Sequence, residues 1–122
     1  MSFPETITIT IDGVAVPLIR INSGKEYASE YRYRGTTDEF TLNIRHTTNV
    51  KKASGVRINR HNAELIQRVF AVDPDDLDKI RKVYMVIEEE ASDSVTDVSD
   101  MTEGFVAFLD SANVTKLLNY ES

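Results

Sequence analysis

Cysteine is absent from the 122 residues, which removes disulfides, thiolate metal sites and cysteine nucleophiles together. Long apolar runs are absent too, so no segment reaches the roughly 18 consecutive apolar residues of a membrane-spanning helix. The opening MSFPE has neither the basic region nor the apolar stretch of a secretory leader. These gaps predict a soluble, unexported protein of intracellular origin. A Gly-rich phosphate loop, a serine nucleophile elbow and a metal-ligand cluster are missing as well. The working part is therefore expected to be a surface rather than a catalytic pocket, with no cofactor. His46 and His61, two histidines without a cysteine partner, make a poor metal site and receive no catalytic role.

The formal net charge is −6, which by itself disfavours nucleic acid, because affinity for phosphates comes chiefly from Lys and Arg. Its distribution changes that reading. Residues 20–82 carry thirteen Lys or Arg against nine Asp or Glu, whereas residues 83–122 carry one Lys against nine acids. A folded domain could present a basic face and an acidic face, or simply scatter its charges as acidic cytosolic proteins do. At 41% hydrophobic, the chain suffices for one core, so residues 1–122 are read as a single domain.

Period-2 patterning dominates the first three quarters. Residues 6–11 alternate Thr with Ile, Asp12-Gly13 is a strong hairpin turn, and an apolar run resumes over 14–21. A break at residues 22–25 precedes a strand over 30–34 and a turn over 35–38. Residues 39–46 form the cleanest strand, with Phe40, Leu42 and Ile44 on one face and Thr41, Asn43 and Arg45 on the other. A polar loop with Lys51 and Lys52 is expected over 47–55. Residues 56–71 then read as an irregular strand, with a bulge or loop near Asn62 and Ala63. An acidic loop follows Val72, residues 80–88 form the last strand, and 88–99 an acidic linker.

The period then becomes helical. Met101, Phe105, Phe108 and Leu109 recur at helix spacing and read as core. Asp100 and Glu103 have the form of a capping box, and Asn113 caps a second short helix carrying Val114, Leu117 and Leu118. The order predicts an α+β domain whose helices lie on one face of an antiparallel sheet. Five strands at about 4.8 Å make a sheet roughly 24 Å wide, but a helix is only about 10 Å across and ten residues extend about 15 Å. Two such helices cannot cover that face. A second subunit that completes the layer would also protect an exposed strand edge.

At this point the order and four strings resemble the coat proteins of single-stranded RNA bacteriophages, the levivirus family. The strings are FTLNIRH (40–46), GVRINRHNAELIQRVF (55–70), IRKVYMVIE (80–88) and FLDSANVTKLLNYES (108–122). The resemblance covers essentially the whole chain and rests on order and length, not on a catalytic motif. It implies an N-terminal hairpin plus a five-stranded antiparallel sheet and two C-terminal helices, completed by an intertwined homodimer. It also implies an icosahedral shell assembled in the bacterial host cytoplasm, single-stranded RNA with hairpins bound on the inner sheet face, and repression of translation through a hairpin operator.

Carried over by position, the RNA contacts are Thr41, Asn43 and Arg45 on the clean strand and Tyr84, placed to stack on an unpaired base, with Arg32, Arg34 and Arg68 beside them. Val86 departs from the pattern, being apolar where a hydrogen-bonding group is expected. Without the resemblance, Arg45 is a solvated arginine and Tyr84 covers a neighbouring strand. The acidic loop, residues 72–79, would meet its copies around symmetry axes. Its aspartates lack the glycine and terminal glutamate of an EF-hand and read as a solvated loop; the alternative is that copies gathered at an axis recruit cations between subunits. The alternative function is a non-viral dimeric β-sheet module that binds protein or nucleic acid. Small-molecule substrates, metals, membranes and enzymatic activity are not expected.

Overall fold

The Thr/Ile alternation at the N-terminus forms β1 (Thr6–Ile11), which turns back into β2 (Val14–Asn22). At the turn Asp12 and Gly13 both have positive φ, 51° and 75°, the pairing that two-residue hairpins need. The computed structural model describes residues 3–22, 27–50 and 53–122. The expected break at Ser23, Gly24 and Lys25, and Lys51 and Lys52 of the expected loop, lie outside the described residues. Four further strands follow: β3 (Ala28–Arg34), β4 (Asp38–Val50), β5 (Arg57–Val69) and β6 (Lys79–Glu90). All six pair antiparallel in sequence order, β1-β2-β3-β4-β5-β6. The hairpin is therefore not a unit separate from a five-stranded sheet, because β2 also pairs with β3. Alternation identifies strands; it does not say which neighbours they pair with.

Several boundaries move. β4 continues through residues expected to be loop, and β5 pairs in unbroken register with both β4 and β6, so no bulge occurs at Asn62 and Ala63. The register shift lies instead in β2, between Arg20 and Asn22. Cross-strand pairing on both sides holds β5 in one phase although its own apolar pattern is ambiguous.

The core lies on one face. Phe40, Leu42 and Ile44 of β4 are buried with Val16 and Leu18 of β2 and Tyr31 of β3, and Ile7, Ile9, Tyr33 and Leu65 pack around them. The sheet curls enough to bring β2 near β4 across the intervening β3. Phe40, Leu42 and Ile44 are thus covered by the hairpin within their own subunit, not by its helices. Tyr31 and Leu18 have no exposed surface at all. The Tyr31 hydroxyl donates to the Pro4 carbonyl at 2.8 Å and accepts from Arg20 Nη2 at 2.7 Å, while Arg20 also pairs with Glu5 at 2.9 Å. These bonds tie the first residues to the core. Tyr31→Phe is expected to cost about 1–2 kcal/mol by removing two part-buried hydrogen bonds, one of them to a charged guanidinium, measured as a lower denaturant midpoint; an unchanged midpoint would remove the tie.

The helices start earlier than their apolar spacing suggests. Ser94, not Asp100, caps α1 (Val95–Phe108), its hydroxyl accepting from the Asp97 amide. Asp110, not Asn113, caps α2 (Ser111–Leu118), accepting from the Asn113 amide at 2.9 Å. The β-branched Val95 and Thr96 hide the first turn of α1 from propensity arguments. Its signal is Ser94-x-x-Asp97, which has the capping-box form. Neither helix buries a residue. Met101, Phe105, Phe108, Leu117 and Leu118 are all more than half exposed, so the residues that helix spacing reads as core at Met101, Phe105 and Phe108 are not buried within their own subunit.

Candidate nucleic-acid face and subunit interface

The residues of β4 that point away from the core define a second, open face. Register carries the same alternation outward. Thr41 stands opposite Arg32 of β3 and Ile66 of β5, Asn43 opposite Glu30 and Glu64, and Glu39 opposite Arg34 and Arg68. Glu64 in turn stands opposite Tyr84 of β6. All seven candidate residues, Arg32, Arg34, Thr41, Asn43, Arg45, Arg68 and Tyr84, therefore lie on this one face.

The alternation of a single strand made three of these positions legible, and four more arrive through pairing. Sequence reasoning missed the acids between them. Glu64 Oε1 accepts from Asn43 Nδ2 at 3.2 Å and from Arg45 Nη2 at 3.1 Å, and Lys82 approaches its other oxygen at 3.9 Å. Arg32 bridges Glu39 at 3.2 Å and Glu30 at 3.5 Å, and Arg60 pairs with Glu88 at 3.7 Å. Arg34 lies 5.6 Å from the Phe70 ring centre.

The open face thus mixes cations with acids and is not the uniformly basic surface that the charge of residues 20–82 allowed. The pairs remain available for exchange. The Arg45 side chain is half exposed, and an exposed pair contributes only about 0–1 kcal/mol. A guanidinium also keeps donors to spare beyond one carboxylate contact. Tyr84 presents an exposed ring. The side-chain Oδ1 of Asn62, a residue paired in register with Arg45 and Val86, is buried without a hydrogen-bond partner among the described residues. A recess of about 110 Å³ opens on this face among Ala28, Glu30, Asn43 and Arg45.

Arg68 has a second task. It holds Asp78 at 2.7 Å while the Ala71 amide donates to the other carboxylate oxygen at 2.8 Å. The amide first, then the guanidinium, keeps the Asp78 carboxyl below its usual range. Asp78 therefore closes the loop between β5 and β6, and Asp73 accepts from the Asp75 amide within it. Val72 and Leu77 stand almost fully exposed at this loop.

On the opposite side of the molecule, β6 is an edge strand. α1 runs beside it across an apolar cleft of about 580 Å³ lined by Val83, Met85, Ile87, Met101, Phe105 and Leu109. The Phe105 and Phe108 rings stack at 6.2 Å. An open strand edge beside an uncovered apolar helix face is an incomplete layer.

Comparison with known proteins agrees with this architecture. The virus-like particle of Beihai levi-like virus 21 has a chain of the same fold, superposing with a TM-score of 0.75 over 96% of this chain and 94% of that one, at 12% sequence identity. No curated protein matches. The family model described as the coat protein of phage phiCb5 matches residues 4–90, from the residues before β1 to the end of β6. The chain therefore belongs to the phage phiCb5 coat-protein family and is a structural protein of a virus particle, not an enzyme.

Proposed function

We propose that this coat protein pairs with a second copy through the β6 edge and its terminal helices, closes into an icosahedral shell, and lines that shell's interior with its open face, where it binds single-stranded RNA. The observation that carries this reading is the segregation of two chemistries on one sheet. Uncovered apolar surface lies at β6, α1 and α2, and hydrogen-bonding groups with an exposed tyrosine fill the open face. A two-fold pairing at β6 satisfies both strand edges at once and lays each subunit's helices over the other's apolar surface. The loop between β5 and β6, with Val72 and Leu77 exposed, is suited to contacts between dimers. On the open face, phosphates exchange for the carboxylates that hold Arg32 and Arg45, and an unpaired base stacks on Tyr84. The recess beside Asn43 and Arg45 is large enough to receive one splayed base. A hairpin held this way would also repress translation of the message that contains it.

The test is expression in bacteria, followed by light scattering, electron microscopy and the absorbance ratio of any particles. Uniform RNA-filled spheres support the reading; a discrete monomer free of nucleic acid overturns it. Arg45→Ala and Tyr84→Ala are expected to leave the dimer intact and weaken RNA binding, Tyr84→Ala by roughly 1–3 kcal/mol. Arg45→Ala also lowers the salt slope of binding by about one. Unchanged affinity in both variants would remove the open face as the RNA surface.

A further inference from the structure

On the core face, beyond the buried cluster, the register places His46 of β4 directly opposite His61 of β5, and His61 opposite Ile87 of β6. The two imidazoles meet through their Nδ1 atoms at 2.8 Å, and His61 Nε2 lies 2.9 Å from Glu89 Oε1. Their rings stand edge to face with centres 5.0 Å apart. The carboxylate settles the proton positions. Ionised Glu89 only accepts, so His61 donates from Nε2, neutral His61 offers a lone pair at Nδ1, and His46 donates from its own Nδ1. One added proton fits this chain: His61 becomes imidazolium, its Nδ1–H donates to His46, and His46 carries its hydrogen on Nε2. A second added proton does not fit, because two N–H groups then point at each other across the same gap.

We propose that His46, His61 and Glu89 form a proton-operated latch under the start of α1, closed while the two rings share a hydrogen bond and opened when both are charged. The latch reaches α1 through a cavity of about 270 Å³ that His61, Ile87 and Glu89 share with Val95, Val98, Thr102 and Glu103. Among the described residues the charged and titratable groups around it come from five places. β4 supplies His46, and β5 supplies His61 and, two positions beyond Asn59, Arg57. β6 supplies Glu89, α1 supplies Glu103, and Tyr27 lines the recess beside His46. Among the described residues no group of three or more His, Asp or Glu side chains is arranged to hold a metal ion, so the chemistry assigned to the pair is proton transfer.

The energetics have the matching sign. Partial desolvation, and then the charge of His61, hold His46 below its ordinary value of 6.5. The unfolded chain therefore takes up this proton before the folded one does, so the latch's stability is complete above about pH 6.5 and is lost as the pH falls below it.

Two measurements on the full-length protein test the proposal. Imidazole nitrogen resonances should show both rings responding to one shared protonation step, with a second step displaced to lower pH; two independent titrations near 6.5 overturn it. The melting temperature should fall by at least about 4 °C from about pH 7.5 to about pH 5.5, and His46→Asn, which keeps an amide for His61 to bond, should lose less than half as much. Parallel pH profiles for the two proteins overturn the latch. The resonance measurement uses unaltered protein, so it decides the question even if His46→Asn fails to fold.

Discussion

Phe105→Asp is expected to abolish dimers and particles together while leaving the strand signal of the chain in circular dichroism intact. Phe105 lies on α1, which contributes no residue to the buried core of its own subunit. Its ring stacks on Phe108 and lines the cleft beside β6. If that surface is covered by a second copy, each aromatic side chain contributes about 1.5–3 kcal/mol by burial, and two-fold symmetry counts the loss twice. The dimer dissociation constant should then rise at least about a hundredfold, since each 1.4 kcal/mol is about a factor of ten. Light scattering reads the outcome directly. Particles of unchanged mass would show that the helices do not cover a neighbour. Deleting residues 113–122 should have the same effect, because it strips most of α2 and its exposed leucines.

Leu18→Ala should act at the other end of the molecule and in the opposite manner, destabilising the subunit itself rather than its assembly. Leu18 is fully buried where the hairpin curls over β3 and β4. Removing its branched terminus leaves a cavity between strands that are already hydrogen-bonded and cannot close in, which costs about 2–5 kcal/mol. For a domain of this size that is a large share of the total stability, about 5–15 kcal/mol. Denaturant unfolding of the dissociated subunit is the measurement. A midpoint equal to wild type would mean that the hairpin is not part of the cooperative core.

The two variants separate interactions that the sequence alone does not distinguish. Both positions are apolar, and both recur at the spacing of a buried face. Phe105 turns out to be exposed and Leu18 sealed, because cover depends on what folds across each position, and that is decided by strands far away in the chain.

Local patterning determined a good deal. The alternation over residues 40–46 assigned the buried and open faces of β4 correctly, since side chains on a strand must alternate. The Asp12-Gly13 turn was legible because only residues tolerant of positive φ close a two-residue hairpin. The two terminal helices were legible from their apolar spacing, although the caps of both lie upstream of where that spacing starts. The resemblance to RNA phage coat proteins rested on the order of these elements, and the family match over residues 4–90 confirms it.

Tertiary structure decided the rest. The phase of β5 was ambiguous in isolation because its own residues do not alternate cleanly, and only its ladders to β4 and β6 hold it in one register. With that register come the contacts of Glu64 with Asn43 and Arg45, which moderate the charge of the open face. The meeting of His46 with His61, fifteen residues apart in sequence, has the same origin. The curl that seats the hairpin over Phe40, Leu42 and Ile44, and leaves α1 and α2 uncovered, is likewise not written in any one segment. A strand's pattern states which of its sides is apolar; only the assembled sheet states what lies against that side.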